Sequence, residues 1–460
     1  MHNFNHKKIG IWGFGVVGKS ALTFFDQYNL EQISLLNNKA IDIPTSKNVI
    51  KFVMQDTETI INFLENNDYI LVSPGIQLHN YQAYKHKFIS ELDLFYQNNT
   101  APTIAITGSL GKTSITTLLS KILQLMHVHT IAAGNIGYPM LSLVTPELEQ
   151  GIQPDQIILE LSSFQLQQAC NINPDLAIIT NFYDNHLDHH TSLQEYFDAK
   201  CNIFINQNTK QIALLPYELL HQIIQKIEFK KNWAFFSATK LTNDQLKSPS
   251  DHIIYYLDDK KIYKQQSSLV MQLCDISKFP SITFDTNWLI IIAALDIQKI
   301  NLESLQKIVH QLEIPEHRLQ KIASLHGSDF YNDSKSTVWQ ATLQAINCMD
   351  SKPIKLFLGG LSKGADRTPL LQAIQSKNIE IYAFGKEADM IAQMCTQLNI
   401  KHHAHTTLQE SFNSCTKNIS TPSNILFSPA GSSYDLFENY IQRGLIFIDL
   451  VKNHTILNAI

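Results

Sequence analysis

The stretch Thr103 to Thr117, TIAITGSLGKTSITT, constrains this chain more than any other. A strand-like apolar run passes without a gap into a glycine-bearing turn and then into the start of a helix. Gly108 and Gly111 let the backbone turn tightly, and a helix opening near Lys112 aims the positive end of its dipole at the turn, as an anion site requires. Lys112 adds a point charge for outer phosphates. Thr113 offers a hydroxyl to a magnesium ion, with Ser109 and Ser114 on either side. Only Ser109 and Leu110 separate the two glycines, so the spacing is tighter than G-x-x-x-x-G-K-[ST]. A strand, phosphate loop and helix in this order belong to an α/β sheet.

At 460 residues the chain exceeds what one hydrophobic core usually holds, and two to four domains are expected. Hydrophobic residues make up 44% and charged ones 17%, which suits a globular chain and argues against extended disorder. A formal net charge of −5 gives no electrostatic case for nucleic acid or an anionic membrane, so any phosphate binding is local. The six cysteines are scattered without metal-ligand spacing and read as reduced, buried small hydrophobes in a cytoplasmic protein. The N-terminus resembles neither a signal peptide nor a membrane span. Nothing in the pattern suggests a constitutive interface, and a monomer is expected.

Ahead of the phosphate loop, Lys8 to Trp12 reads as a buried strand running into Gly13-Phe-Gly15-Val16-Val17-Gly18 and a helix over Ser20 to Tyr28, a G-x-G-x-x-G in Rossmann context. A second strand, Ile33 to Leu36, ends at Asn37-Asn38 where a dinucleotide site would have an acidic residue. Another diphosphate ligand, or a purely structural turn, stays open. Asp68 to Val72 is a further strand, closed by Ser73-Pro74-Gly75. The polar run after Tyr96 looks like a linker, and the strand–helix alternation restarts at Thr103.

Beyond the phosphate loop, the strand Val128 to Ala133 leads into Gly134-Asn135-Ile136-Gly137, and the apolar strand from Gln156 delivers Glu160 ahead of Ser162-Ser163-Phe164-Gln165. A carboxylate at a strand exit beside a phosphate loop suits magnesium. Asn181 to His190 is dense in metal-capable groups, including His186. With no H-E-x-x-H and no cysteine partner, magnesium fits better than zinc. Lys200, on a helix over Ser192 to Phe204, reads from its own surroundings as a solvated lysine. Gln211 to Phe279 reads as short strands and polar loops without chemistry. After helices at Asn287 to Asp296 and Leu302 to Leu312, a second linker leads to Pro315-Glu316-His317-Arg318. Three strand ends follow: Phe330 to Thr337, which packs polar groups after an apolar strand end; Lys355 to Leu361, a strand into a glycine turn carrying Lys363, Gly364 and Asp366; and Ile425 to Gly431, which repeats the pattern before a helix over Ser433 to Val451. Open α/β sheets place ligands at such loops.

GSLGKTSITT, GNIG, LELSSFQL, the Asn181 to His190 segment with Lys200, EHRLQ, YNDSKST, LGGLSKGAD and SPAGSSYDLFENYIQRG stand in the order seen in the Mur ligases, which the chain resembles over nearly its whole length. The resemblance is to the member that adds D-glutamate. It implies three α/β domains: a Rossmann-like one at 1–97, a central P-loop ATPase-type domain with a mostly parallel sheet at 98–314, and a second Rossmann-like one at 315–460. It implies an ATP- and magnesium-dependent ligase that joins UDP-N-acetylmuramoyl-L-alanine to D-glutamate in cytoplasmic peptidoglycan precursor synthesis, through an acyl phosphate.

Carried over by motif, Gly108, Ser109, Gly111, Lys112, Thr113 and Ser114 hold the ATP phosphates, and Asn287, His317, Arg318 and Asp333 meet the rest of ATP. Thr113 and Glu160 hold one magnesium. His186 and Lys200, the latter as a carbamate, serve a second. Lys112, Lys200 and His186 carry the catalysis. Gly15, Val16, Val17, Ser73, Gly75, Asn135, Ser162, Ser163, Gln165 and His186 meet the UDP-linked substrate, and Lys335, Thr337, Lys363, Ser433 and Tyr440 meet D-glutamate. The chain departs from the family pattern at Val17, Thr283, Phe284, Val338 and Gly431. The competing readings are a Mur ligase for another amino acid and a nucleotide-binding regulatory module without ligation.

Overall fold

A computed structural model describes residues 3–39, 50–54, 56–145, 153–184, 189–228, 232–242, 252–280, 282–313, 316–417, 419 and 421–457. Three sheets organise them. The first contains β1 (Lys8–Trp12), β2 (Gln32–Asn37), β3 (Ile50–Met54), β4 (Tyr69–Val72) and β5 (Phe88–Ile89), all parallel, in the order β3-β2-β1-β4-β5. The direction of winding reverses between β1 and β4. The loops leaving these two strands therefore meet at the point where parallel sheets open a crevice.

The second sheet has nine strands: β6 (Thr103–Thr107), β7 (Thr130–Gly134), β8 (Gln156–Glu160), β9 (Leu176–Ile179), β10 (Ile212–Pro216), β11 (Trp233–Ser237), β12 (Ile253–Asp258), β13 (Lys261–Gln266) and β14 (Leu269–Asp275). Their order is β14-β13-β12-β11-β10-β9-β6-β8-β7. The seven strands β6 to β12 run parallel, and β13 and β14 extend β12 as an antiparallel meander. The short strands expected over Gln211 to Phe279 are present, and they join the central sheet as β10 to β14. The outer strand β14 leaves Leu269, Val270 and Met271 exposed, whereas β6, β8 and β9 are buried along their length.

The third sheet contains β15 (Gln320–Leu325), β16 (Ser328–Asn332), β17 (Ile354–Gly359), β18 (Ile379–Phe384), β19 (His402–His405) and β20 (Asn424–Phe427), in the order β15-β16-β20-β17-β18-β19, parallel except for β15. Apolar clusters cover both of its faces, one around Leu356, Leu358 and Ile381, the other around Phe357, Phe427 and Phe447. The chain is thus α/β.

Two compact units emerge from the packing: Met1–Phe182 with Gln194–Lys278 and Leu289–Ile308, carrying the first two sheets, and Tyr183–Leu193 with Phe279–Trp288 and Val309–Ile460, carrying the third. One apolar core runs through the first unit from Ile9 and Phe24 to Ile157 and Phe235. Helix boundaries shift in two places. The first helix, α1, spans Val16–Phe25 rather than starting at Ser20, with Gly15 as its N-cap. The last helix spans Tyr440–Leu457, because Leu436 and Phe437 donate their N–H groups to the Ser433 carbonyl and turn the chain before the helix begins. Cys170 and Cys348 are exposed, against the expectation that all six thiols are buried; the other four are buried. No helix among the described residues is long and apolar enough to cross a membrane.

Candidate active site

β6 lies between β8 and β9, so the exits of three neighbouring parallel strands converge on residues 108–111. Gly108 has φ 146° and Gly111 φ 83°, and a Cβ at Gly108 would lie 1.9 Å from the Thr180 hydroxyl oxygen. Only glycine fits there. The turn hands over to a helix, Lys112–Leu125, which Gly111 begins without a side-chain cap. Thr113 and buried Ser114 lie in its first turn, where backbone N–H groups have no intrahelical acceptor and the dipole is positive.

Two of the loop's N–H groups are engaged within the protein. Asn181, at the exit of β9, takes both: its carbonyl accepts from Ser109 N at 3.2 Å and its Oδ1 from Leu110 N at 2.8 Å. Thr180 donates its hydroxyl to the Leu110 carbonyl at 2.5 Å. Asn181 and Thr180 therefore set the shape of the turn that precedes the helix start.

Two lysines meet on one carbonyl. Lys112 Nζ donates to Gly108 O at 2.8 Å and to Ser109 O at 3.2 Å, and Lys200 Nζ donates to the same Gly108 O at 2.9 Å. Lys200 lies on the helix Leu193–Ile205 and is 2% exposed, which corrects the solvated-lysine reading of its local sequence. Its Nζ sits 4.5 Å from the centroid of the Tyr196 ring, and the Tyr196 hydroxyl pairs with Ser109 Oγ at 3.1 Å. Burial first, and the charge of Lys112 second, hold the Lys200 amine well below the usual lysine range. Tyr196 had no role in the sequence reading. The signal was its position four residues before Lys200, on the same helix face.

Glu160 ends β8 and is 1% exposed. Asn135 Nδ2 donates to its Oε1 at 2.9 Å, while its Oε2 is buried with no hydrogen-bond partner. A buried carboxylate oxygen left in this state is costly unless a cation meets it. Asn135 is itself anchored, its N–H donating to the Glu160 carbonyl at 2.8 Å. Ser162 caps the helix Ser163–Gln168 in a reciprocal capping box with Gln165, so these two residues shape the exit of β8, and Ser163 is buried beside them. Among the described residues no group of three or more His, Cys, Asp and Glu side chains gathers. His186 lies outside the described residues.

In the first sheet, Ser73 Oγ donates to Gly13 O at 3.0 Å, which brings the turn after β4 against the turn after β1. Gly15 and Gly75 each have open space on their Cβ side. Val16 is 70% exposed, and Val17 packs partly against the core.

The second unit brings together the loops after β16, β17 and β20. His317, with φ 61°, is buried; its Nδ1 pairs with Asn332 Nδ2 at 2.9 Å, and its ring lies 6.3 Å from that of Tyr440. Lys335 Nζ lies 3.8 Å from the Tyr440 centroid. Arg318 precedes Leu319, whose N–H donates to Asp333 Oδ1 at 3.1 Å. Ser433 is buried, Thr337 and Lys363 are exposed, and Asn287 is buried with its amide donating to Thr283 Oγ1 at 2.7 Å. Two arginines that the sequence reading passed over, Arg367 and Arg443, are buried among these loops. Arg443 donates to Ser334 O at 2.7 Å and Gly431 O at 2.9 Å.

Burial pushes the Asp333 carboxyl up to about 6, against hydrogen bonds from Ser428 and Leu319 that pull it down. A carboxyl raised above its unfolded value favours folding while protonated. Its contribution is complete below about pH 4 and lost as pH rises through 6, an effect on the order of 2–3 kcal/mol. Wild type should therefore lose thermal stability relative to Asp333→Asn on going from about pH 4 to about pH 7. A difference in melting midpoint that stays constant across that range would contradict the assignment.

Residues 106–286 match the Mur ligase middle domain. The chain is 32% identical to a Geobacillus kaustophilus protein named UDP-N-acetylmuramoylalanine--D-glutamate ligase, over 84% of this chain and 83% of that one. It is 28% identical to a Lachnoclostridium phytofermentans protein of the same name, over 98% of both. Its fold matches the crystal structure of the UDP-N-acetylmuramate-alanine ligase MurC from Thermotoga maritima, with TM-score 0.54 and 18% identity over 98% of this chain and all of that one.

Proposed function

We propose, from the premise that the chain belongs to the Mur ligase family, that it is the ATP-dependent ligase joining D-glutamate to UDP-N-acetylmuramoyl-L-alanine in peptidoglycan synthesis. The observation that carries the chemistry is the meeting of the Lys112 and Lys200 amines on the Gly108 carbonyl, beside a buried carboxylate with an unpartnered oxygen. Two ammonium groups sharing one buried acceptor repel each other, so one of them gains by being neutral. Lys112 is the cation for the transferring phosphoryl group. Lys200 is the neutral amine, able to take up carbon dioxide and become an anionic oxygen ligand.

The three sheets are proposed to serve three reactants, in domains at 1–97, 98–314 and 315–460. The turns holding Gly15, Val16, Val17, Ser73 and Gly75 take the uridine diphosphate end, while Asn135 and the Ser162, Ser163, Gln165 group take the muramoyl end. Gly108 to Ser114 hold the ATP phosphates, and Asn287, His317, Arg318 and Asp333 hold the remainder of ATP. Lys335, Thr337, Lys363, Ser433 and Tyr440 meet D-glutamate, whose two carboxylates need charged and hydroxyl donors once desolvated.

In the first step the alanyl carboxylate attacks the γ-phosphorus, the bond to the bridging oxygen breaks, and ADP leaves an acyl phosphate. In the second the deprotonated amine of D-glutamate attacks the acyl carbon, and phosphate departs from the tetrahedral intermediate to leave the amide. Lys112 and the helix start stabilise charge on the phosphoryl oxygens through the first step. The oxygen-rich donor set and the unpartnered Glu160 oxygen suit a hard cation, so Thr113 and Glu160 would hold one magnesium, and carbamylated Lys200 with His186 a second. Bound magnesium would supply further neutralisation of phosphate charge.

The test is ADP release by purified protein given ATP, magnesium, UDP-N-acetylmuramoyl-L-alanine and single amino acids. Release should be stimulated by D-glutamate. Stimulation by L-alanine or a diamino acid instead would overturn the substrate, and release without any amino-acid dependence would favour a regulatory module.

A further inference from the structure

Arg367 is 2% exposed, and all its nitrogens are engaged. Its Nη2 donates to Gly360 O at 2.9 Å and Gly359 O at 3.4 Å, in the loop after β17, and its Nε to Ala430 O at 3.3 Å, in the loop after β20. Its Nη1 pairs with Glu387, at the N-cap of the helix Ala388–Gln397. Glu387 in turn accepts from Ser362 N at 3.0 Å and Ser362 Oγ at 3.1 Å. The two loops are also stitched directly, Leu361 and Ser432 exchanging backbone hydrogen bonds at 2.9 and 2.8 Å. At Gly431 a Cβ would lie 2.5 Å from Arg367 Nη2, so the loop backbone runs directly against the guanidinium.

This ion pair therefore grips both sides of one loop and one side of the other. Lys363 follows Ser362 immediately, in the left-handed region at φ 52°, and Ser433 follows Ser432. We propose that Arg367 and Glu387 are positioning residues for the acidic amino acid: they fix the loop of Lys363 against the loop of Ser433 and so set the pair of donors that its carboxylates meet. The inference rests on the reading that these two loops receive that substrate. Arginine is required because a planar fork reaches carbonyls in two loops and a carboxylate at once, which a single ammonium cannot. Neither residue touches the substrate.

The test is steady-state kinetics of wild type, Arg367→Met, Arg367→Lys and Glu387→Gln, with amide hydrogen exchange of Gly360–Gly364 and Gly431–Ser433. In Arg367→Met the KM for D-glutamate should rise roughly ten- to hundredfold, while the KM values for ATP and the UDP-linked substrate stay within about twofold. Arg367→Lys should recover only part of the loss. Glu387→Gln, which keeps an acceptor for Ser362, should be intermediate, and it serves if Arg367→Met does not fold. Exchange in both loops should accelerate in step with the KM. An unchanged KM for D-glutamate, or equal rises for all three substrates with a lowered melting midpoint, would overturn the proposal. Should wild type show no response to D-glutamate, the substrate reading fails by itself, and exchange alone decides whether the pair fastens the loops: no acceleration in either variant refutes it.

Discussion

Lys112→Ala is expected to abolish ATP-dependent turnover, with kcat lowered by roughly a hundred- to a thousandfold, the scale seen when one preorganised donor to a developing charge is removed. The reason is geometric. Lys112 opens the helix at the loop and bonds two loop carbonyls, Gly108 and Ser109, so its ammonium is already held at the helix start, where the outer phosphates are proposed to bind. The shape of the turn depends on Asn181 and Thr180, and the variant should keep its fold. Circular dichroism and the melting midpoint check the second point, and coupled ADP release the first. Retained turnover in a folded variant would refute the phosphate-loop assignment.

Lys200→Ala should be as damaging, with turnover reduced at least roughly a hundredfold. Burial, and after it the charge of Lys112, lowers the Lys200 amine and so favours the neutral form, which can react with carbon dioxide; an exposed, protonated amine cannot. Wild-type activity should therefore fall when bicarbonate and dissolved carbon dioxide are stripped from the buffer and return when they are restored, and the variant should show no such response. A fully active Lys200→Ala, or wild-type activity indifferent to carbon dioxide together with no labelled carbamate from labelled bicarbonate, would sink the carbamate role.

Much of this site could be read before the fold was known, for a reason specific to each residue. The phosphate loop is local: strand, turn and helix start follow each other within Thr103 to Thr117, and the glycines announce the backbone they permit. Glu160 was legible because a single charge ends the apolar run Ile157 to Leu159, and burial demands a partner for it. Lys200 was not legible from its own neighbours. Its partner carbonyl lies 92 residues away, and only the packing of its helix against the exit of β6 removes it from water. Family likeness, not local pattern, singled it out.

Asn181 shows another kind of gap. It was noticed as part of a metal-capable segment, yet its side chain and carbonyl hold the loop N–H groups instead. Arg367 and Glu387 carried no signal at all, since a charged residue in a polar loop reads as solvated until neighbouring strands bring the loops together. Short strands over Gln211 to Phe279 were legible singly, but their half-exposed patterns do not say that β12, β13 and β14 pair as a meander at the edge of the central sheet.

In the proposed reaction two bond changes occur in sequence, acyl phosphate formation and then capture by D-glutamate. The most direct measurement supplies UDP-N-acetylmuramoyl-L-alanine carrying heavy oxygen in its alanyl carboxylate, with ATP, magnesium and D-glutamate, and determines by mass spectrometry where the label goes. One heavy oxygen is expected in the released phosphate and one in the new amide, with no product when D-glutamate is replaced by L-glutamate, L-alanine or a diamino acid. Unlabelled phosphate accompanying product, or product formed with one of those other amino acids and not with D-glutamate, would contradict the proposed reaction.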